Sequence, residues 1–234
     1  MMFDHKNIFK KSKHQDSLGK LLEPSVFDIQ VTIIDLSQSI VHLTTMLFTS
    51  KDDEKAISEH VNNCIERLNI LSVLFQIPLH VLVYEKMKTN RLKYNANICR
   101  ERNKIIKYTE DTEKTGFIES LAFHDKKNTR DVFTIHEALT NFGTHFASLI
   151  EEITFFSQER GWTKAYTNQS LSFYLLEELG ELAEAVNGLP SCRILQSLSN
   201  DLFNAICSEI ADITIYLLHT CREYNIDFKQ NTLN

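Results

Sequence analysis

Two pairs of carboxylates, each pair spaced three residues apart, lie within apolar stretches of the chain. Glu178 and Glu181 form the first pair, and Glu209 and Asp212 form the second. Residues three apart share one face of an α-helix, so each segment should project two carboxylates from one side. Carboxylates among apolar residues are costly to bury unless they are paired or bind metal, and four facing each other would repel. Because Mg²⁺ prefers oxygen ligands, the pattern favours a magnesium site, which Mn²⁺ also fits, over two ordinary Glu-rich surface helices.

The order ExxE followed by ExxD resembles the metal motif of the MazG-like all-α NTP pyrophosphatases, and the dCTP pyrophosphatase branch most of all. The similarity extends to E-x-G-E-L-A-E at residues 178–184 and to E-x-x-D-x-x-x-Y at residues 209–216. It also includes R-x-W at residues 160–162, before the first motif. Together these motifs cover roughly residues 147–228.

The resemblance implies an activity and roles for individual residues. The activity is Mg-dependent cleavage of a (d)NTP to (d)NMP and pyrophosphate, as nucleotide-pool housekeeping. All four carboxylates would bind metal, and Glu178 or Glu181 would also serve as the general base. Trp162 would stack on the base, unless it is a packing anchor, and Tyr216 would reach a phosphate, unless it is an ordinary core tyrosine.

A further run, K-M-x-x-N-R-x-K-Y at residues 86–94, resembles the C-terminal helix of the same branch. In the family this run follows the ExxD helix, whereas here it precedes both intact motifs. The order suggests an internal repeat with a degenerate first copy. In that copy Asp35 and Gln38 replace ExxE, and Glu59 and Asn62 replace ExxD, which leaves too little charge to hold Mg²⁺ well.

The sequence therefore predicts an all-α fold in which two tandem helical units form a pseudo-dimer. Lys86, Asn90, Lys93 and Tyr94 of the first unit would bind the phosphates held by the carboxylates of the second. An exposed basic helix end is the alternative for that run. Family members assemble as dimers or dimers of dimers, so a homo-oligomer, most simply a dimer, is expected. The predicted divisions are a mobile basic arm (1–23), a degenerate unit (24–95), a linker (96–134) and a catalytic unit (135–234).

Composition limits the class of protein. Only 6 Gly and 3 Pro occur in 234 residues, which favours long helices over a barrel or sandwich with many turns. The net charge of −6 argues against general nucleic-acid binding, and the absence of an apolar run near ~18 residues predicts no membrane span. Five scattered cysteines fit reduced thiols and a cytoplasmic location. Asn200 or Asp201 is the expected N-cap of the second motif helix.

Two other functions compete with this interpretation. A ferritin-like di-iron bundle also uses helical carboxylates, but it needs Glu-x-x-His pairs, and no Glu in this sequence has a His three residues later. A non-enzymatic helical interaction or regulatory protein that retained the motif by descent is the stronger rival.

Overall fold

The computed structural model describes residues 26–49, 53–97, 99, 134–162, 166–187, 189 and 199–228. Within these ranges the secondary structure consists of six helices and no strand, which confirms the predicted all-α fold. In chain order the helices are α1 (Val26–Thr49), α2 (Glu54–Leu74), α3 (Leu79–Lys93), α4 (Ile135–Glu159), α5 (Asn168–Asn187) and α6 (Asn200–Glu223).

The helices pack around one continuous hydrophobic core. Helix α1 packs along α2, α5 packs along α6, and α1 also contacts α5. Helix α3 lies between α4 and α6. Fully buried side chains such as Leu36, Leu68, Leu82, Leu149 and Ile210 belong to the same cluster. Each buried side chain of this size contributes about 1.5–3 kcal/mol relative to an exposed one, so the helices before and after residues 100–133 stabilise one another. The division into two tandem units stays a prediction.

Short polar side chains fix where several helices begin. The Asp53 carboxylate accepts a hydrogen bond from the Ala56 amide at 3.0 Å, and Thr134 forms a capping box with Glu137. The cap of α6 is Ser199, whose Oγ accepts from the Leu202 amide at 3.3 Å. The expectation of Asn200 or Asp201 was therefore wrong. Both are already helical, whereas Ser199 has the extended backbone (φ −61°, ψ 148°) that an N-cap requires.

The turn after α4 positions the R-x-W motif. Gly161 has φ 72°, a left-handed conformation that suits glycine. The chain reverses there, and the Trp162 amide donates to the Ser157 carbonyl at 2.8 Å. Trp162 is thereby folded back onto the end of α4.

Among the described helices, two, α1 from Asp28 onward and α6, are long and apolar enough by composition to cross a membrane. Helices α2 and α3 pass the same test only when taken together across a bend of 92°. Helices α1 and α6 are partly covered by the other helices, with 39% and 61% of their most apolar windows buried. The expected absence of a membrane span stays a prediction. The predicted basic arm (1–23) and most of the predicted linker (96–134) lie outside the described residues.

Candidate metal and nucleotide site

Helices α5 and α6 bring three carboxylates to one point between them. One carboxylate oxygen from each of Glu178, Glu209 and Asp212 lies within 4.8 Å of the others. Leu175, Leu179 and Ile210 are buried beside them, so packing of the two helices fixes the positions from which the acids project. Glu181, the fourth predicted ligand, is exposed and is not part of this group.

The three acids repel one another in a half-buried setting. Burial, followed by the charges of Asp212 and Glu209, raises the pKa of Glu178 to about 9. The pKa of Glu209 is also raised, first by burial and then by Asp212. Protonated Glu178 donates a hydrogen bond to Glu209, while Glu209 Oε2 is buried and has no hydrogen-bond partner among the described residues. Carboxylate oxygens that converge without enough positive charge nearby to balance them are suited to bind a hard divalent cation.

A lysine from α3 supplies part of the missing charge. Lys86 is 9% exposed, and its ammonium group forms an ion pair with Asp212 Oδ2. The same group donates to Ser208 Oγ at 2.5 Å. Burial lowers the pKa of Lys86, but Asp212, Glu209 and Glu178 together outweigh burial, and the net pKa is raised. The side chain is therefore held as a cation against the carboxylate group.

The other predicted residues of the basic run lie at the end of the same helix. Asn90 and Lys93 are half-buried, and Asn90 shares a helix face with Lys86 because they are four residues apart. Tyr94 has a raised pKa, first through burial and then through Asp212, Tyr166 and Glu178, so its hydroxyl lies within the field of the carboxylates. Helix α3 thus brings Lys86 and Tyr94 to the site.

Two arginines connect the C-terminal end of α3 to α4 through ion pairs and a hydrogen bond. Arg91 pairs with Glu152 at 2.5 Å and with Glu159 at 3.1 Å. Arg160, 3% exposed, donates from Nε to the Tyr94 carbonyl at 2.8 Å, and its guanidinium lies 3.7 Å from the centroid of the Phe156 ring. The R-x-W arginine therefore has a structural role, holding the last turn of α3.

Trp162 is buried against Tyr94 and Phe156. It is 4% exposed, and its ring makes edge-to-face contacts with Tyr94 at 5.2 Å and Phe156 at 5.7 Å. Its faces are covered by protein in this conformation, which is the packing-anchor arrangement. The indole Nε1 has no hydrogen-bond partner in the described part of the chain.

A group of aromatic side chains lies close to the carboxylates, since the charges of Glu178 and Asp212 both act on Tyr216. Tyr216 stacks on Tyr174 at 5.0 Å between ring centroids, and Tyr166 stacks on His219 at 3.9 Å. Burial and the neighbouring Glu178 raise the pKa of Tyr216, so its hydroxyl stays protonated and available as a donor. The predicted position of Tyr216 next to the acids agrees with this geometry.

Sequence reasoning missed Ser208, Tyr166 and Tyr174. Ser208 lies four residues before Asp212, and Tyr174 lies four residues before Glu178, so helical spacing places each on the face of a candidate ligand. That spacing was the available signal for both. No comparable signal marks Tyr166, which lies just before α5.

The corresponding residues of the first half do not form such a group. Glu59 is exposed, and the Asn62 amide is turned to the Ser58 carbonyl at 2.9 Å. Asp35 is half-buried and Gln38 is exposed on α1. The carboxylate group at α5 and α6 is the one candidate metal site among the described residues.

Comparison with known proteins agrees with this location. Residues 166–232 match the family model of the MazG nucleotide pyrophosphohydrolase domain. The matched segment contains α5, α6 and all three converging carboxylates. It supports a place for this part of the chain in the MazG-like superfamily, whose members act on nucleoside triphosphates and typically depend on a divalent metal. No curated protein and no solved structure matches the chain.

Proposed function

We propose that the protein is a Mg²⁺-dependent nucleoside triphosphate pyrophosphohydrolase, which cleaves a (d)NTP to the monophosphate and pyrophosphate. The observation that carries the proposal is the convergence of Glu178, Glu209 and Asp212 beside the cation of Lys86. A triphosphate with its metal requires this combination of negative ligands and nearby positive charge. The similarity of residues 166–232 to the MazG domain supports the same substrate class.

Each residue of the site has a separate role in the proposed reaction. Mg²⁺ bound by the three carboxylates would neutralise the phosphates and make the attacking water more acidic. Glu181 is exposed and lies outside the group, so it is the carboxylate left to accept the proton from that water. Lys86 can exchange part of its contact with Asp212 for a phosphate oxygen, and the Tyr216 hydroxyl can donate to another. The bond between the α- and β-phosphates breaks, and pyrophosphate leaves.

The substrate, the role of the first unit and the cellular location each rest on a separate observation. The motifs at residues 86–94 and 178–184 resemble those of the dCTP pyrophosphatase branch, so dCTP belongs in the panel of nucleotides whose turnover is compared. The packing of α3 against α6 supports the idea that a degenerate first unit serves the site of the second. Cys64, Cys207 and Cys221 are buried thiols that form no disulfide, in keeping with a reducing, cytoplasmic setting.

The test is direct measurement of products. Purified protein is incubated with Mg²⁺ and a panel of NTPs and dNTPs, and monophosphate and pyrophosphate are quantified. We expect equal amounts of both products, no release of single phosphate, and loss of activity in excess chelator. Glu209→Gln is the matched inactive variant. Absence of turnover with every nucleotide, or equal turnover by Glu209→Gln, would favour the non-enzymatic alternative.

A further inference from the structure

Two histidine rings lie face to face between α3 and α4. His80, in the first turn of α3, stacks on His145 of α4 with ring centroids 4.1 Å apart and planes 3° from parallel. One turn further along α3, the Tyr84 hydroxyl lies 2.8 Å from Ser148 Oγ on α4. The stack and this hydrogen bond connect the N-terminal half of α3 to α4.

The hydrogen bonds around the stack suit two neutral rings. His145 Nδ1 lies 2.8 Å from the Asn141 carbonyl oxygen, which can only accept, so this nitrogen carries the proton. His80 Nδ1 is buried and has no hydrogen-bond partner among the described residues. A protonated His80 would donate from both ring nitrogens, and the bond from Nδ1 would find no acceptor there. The stacked arrangement therefore disfavours a second proton on His80.

The charges around His80 also disfavour its cation. The ring follows Pro78 at the N-terminus of α3, where unpaired backbone N–H groups carry partial positive charge. Among the described residues, His145 of α4 is the one titratable group whose charge acts on His80, and no carboxylate of α2, α4 or α6 does. Tyr84, the titratable neighbour on α3, meets the His145 ring edge-to-face at 6.4 Å. Burial, followed by the charge of His145, lowers the pKa of His80 from 6.5 to about 4.

The other end of α3 is attached by groups that histidine protonation does not affect. Arg91 forms ion pairs with two glutamates of α4. Lys86 lies on α3 between His80 and Arg91, and its ammonium group is paired with Asp212 of α6. If the N-terminal half of α3 leaves α4 while the Arg91 end stays attached, Lys86 moves relative to Asp212.

We propose that the His80–His145 stack makes the attachment of α3 to α4, and with it the position of Lys86, sensitive to acid. His80 takes up a proton readily only when α3 has left α4, so the attachment is at full strength above pH 6.5 and weakens as the pH falls toward 4. Between pH 7 and pH 5 the open arrangement gains about twentyfold, given a pKa of 6.5 when open and about 4 when stacked. The opening of α3 is independent of the proposed function, whereas its effect on nucleotide binding rests on that function.

Hydrogen–deuterium exchange of the full chain at pH 7 and pH 5 tests the opening of α3. After correction for the intrinsic exchange rate at each pH, we expect the protection of the α3 amides to fall about twentyfold in the parent. Helix α3 should be less protected than α2 at both pH values, which shows that it opens without unfolding of the whole chain. His80→Phe keeps a ring against His145 but cannot titrate, so its α3 protection should stay nearly constant. His80→Leu, which also cannot titrate, should agree with it.

The second histidine stack of the protein supplies the matched control. His42 of α1 and His60 of α2 stack with ring centroids 5.7 Å apart. His42→Phe removes one titratable ring away from α3, so the fall in α3 protection should equal that of the parent. An equal fall in the parent and His80→Phe would overturn the proposal, as would an α3 that exchanges only together with α2.

Steady-state kinetics test the link to Lys86. Carboxylates and phosphates titrate alike in the parent and in His80→Phe, so their contribution cancels when the two proteins are compared. We expect KM for dCTP to rise more between pH 7 and pH 5 in the parent than in His80→Phe, because an open α3 withdraws Lys86 from the site. Equal rises, with α3 opening in the parent alone, would overturn the link to Lys86. Absence of turnover would count against the proposed function and leave the exchange result to decide whether α3 opens.

Discussion

The ammonium group of Lys86 is ion-paired with the carboxylate of Asp212, joining α3 from the first half of the chain to α6 from the second. Ser208 accepts a second bond from the same ammonium group. The lysine thereby offsets part of the charge of the acid group in the metal-free protein. A metal ion that binds Asp212 must share that carboxylate with Lys86.

Replacing Lys86 should therefore separate nucleotide binding from metal binding. Lys86→Met keeps the length of the side chain but removes a phosphate-binding charge and a competitor for Asp212. We expect KM for the nucleotide to rise at least about tenfold, the cost of losing one charged contact of about 1.4 kcal/mol or more. Binding of Mn²⁺ without nucleotide, measured by electron paramagnetic resonance, should be unchanged or tighter.

Lys88→Met is the matched control for this experiment. Lys88 lies on the same helix, but its side chain is 69% exposed and pairs with Glu85 on the surface. Its loss should leave both KM and Mn²⁺ binding as in the parent. Weaker Mn²⁺ binding in Lys86→Met, with normal KM, would show that the lysine organises the carboxylates and does not contact substrate.

Much of the fold and the outline of the site can be predicted from the sequence, but the surroundings of Glu181 and Trp162 cannot. Periodicity places Glu178, Glu209 and Asp212 on inward helix faces, because the apolar residues around them leave no other orientation. It cannot show that Glu181, only three residues from Glu178, turns toward solvent, since that depends on the exact helix rotation. It also cannot show that Trp162 is covered by Tyr94 and Phe156, because these contacts join segments distant in the chain.

Neutralising two members of the carboxylate group should change the stability of the metal-free protein in opposite directions. At neutral pH the folded protein keeps Glu178 protonated, because its pKa is raised to about 9, whereas the unfolded chain ionises it, and this difference lowers stability. Glu178→Gln removes that cost and should raise the melting temperature. Asp212→Asn leaves the buried Lys86 without its closest counter-ion and should cost on the order of 3 kcal/mol. The two variants are compared by thermal unfolding in chelator, followed by circular dichroism.

Both variants should also lose the stabilisation that Mg²⁺ gives the parent. A ligand that binds only the folded state raises its stability, so the shift in melting temperature reports the metal site without any substrate. A Mg²⁺-induced shift in either variant equal to that of the parent would exclude that carboxylate as a ligand. Destabilisation by Glu178→Gln in chelator would contradict the expected cost of keeping Glu178 protonated.

Glu59 tests whether the first half contains a second metal site. Its side chain is exposed, and the nearby Asn62 amide is engaged with the Ser58 carbonyl. Glu59→Gln should therefore keep turnover within about threefold of the parent, a change below 1 kcal/mol. Glu209→Gln is measured beside it as the inactive reference. Equal loss in the two variants, with both folded, would assign a working metal site to α1 and α2.

His219 should make the protein sensitive to acid. The ring is 1% exposed and stacks on Tyr166, and burial lowers its pKa from 6.5 to about 3. Below pH 6.5 the unfolded chain takes up a proton that the folded chain does not, so stability present above pH 6.5 is lost as the pH falls toward 3. The loss from this one group approaches about 1.4 kcal/mol for each pH unit within that window.

His219→Phe keeps the ring stacked but cannot titrate, so its free energy of unfolding should fall less steeply with decreasing pH. His136→Gln is the control for loss of a histidine at an exposed position. Urea unfolding at several pH values measures the three slopes, and equal slopes for the parent and His219→Phe would show that His219 is protonated within the folded protein.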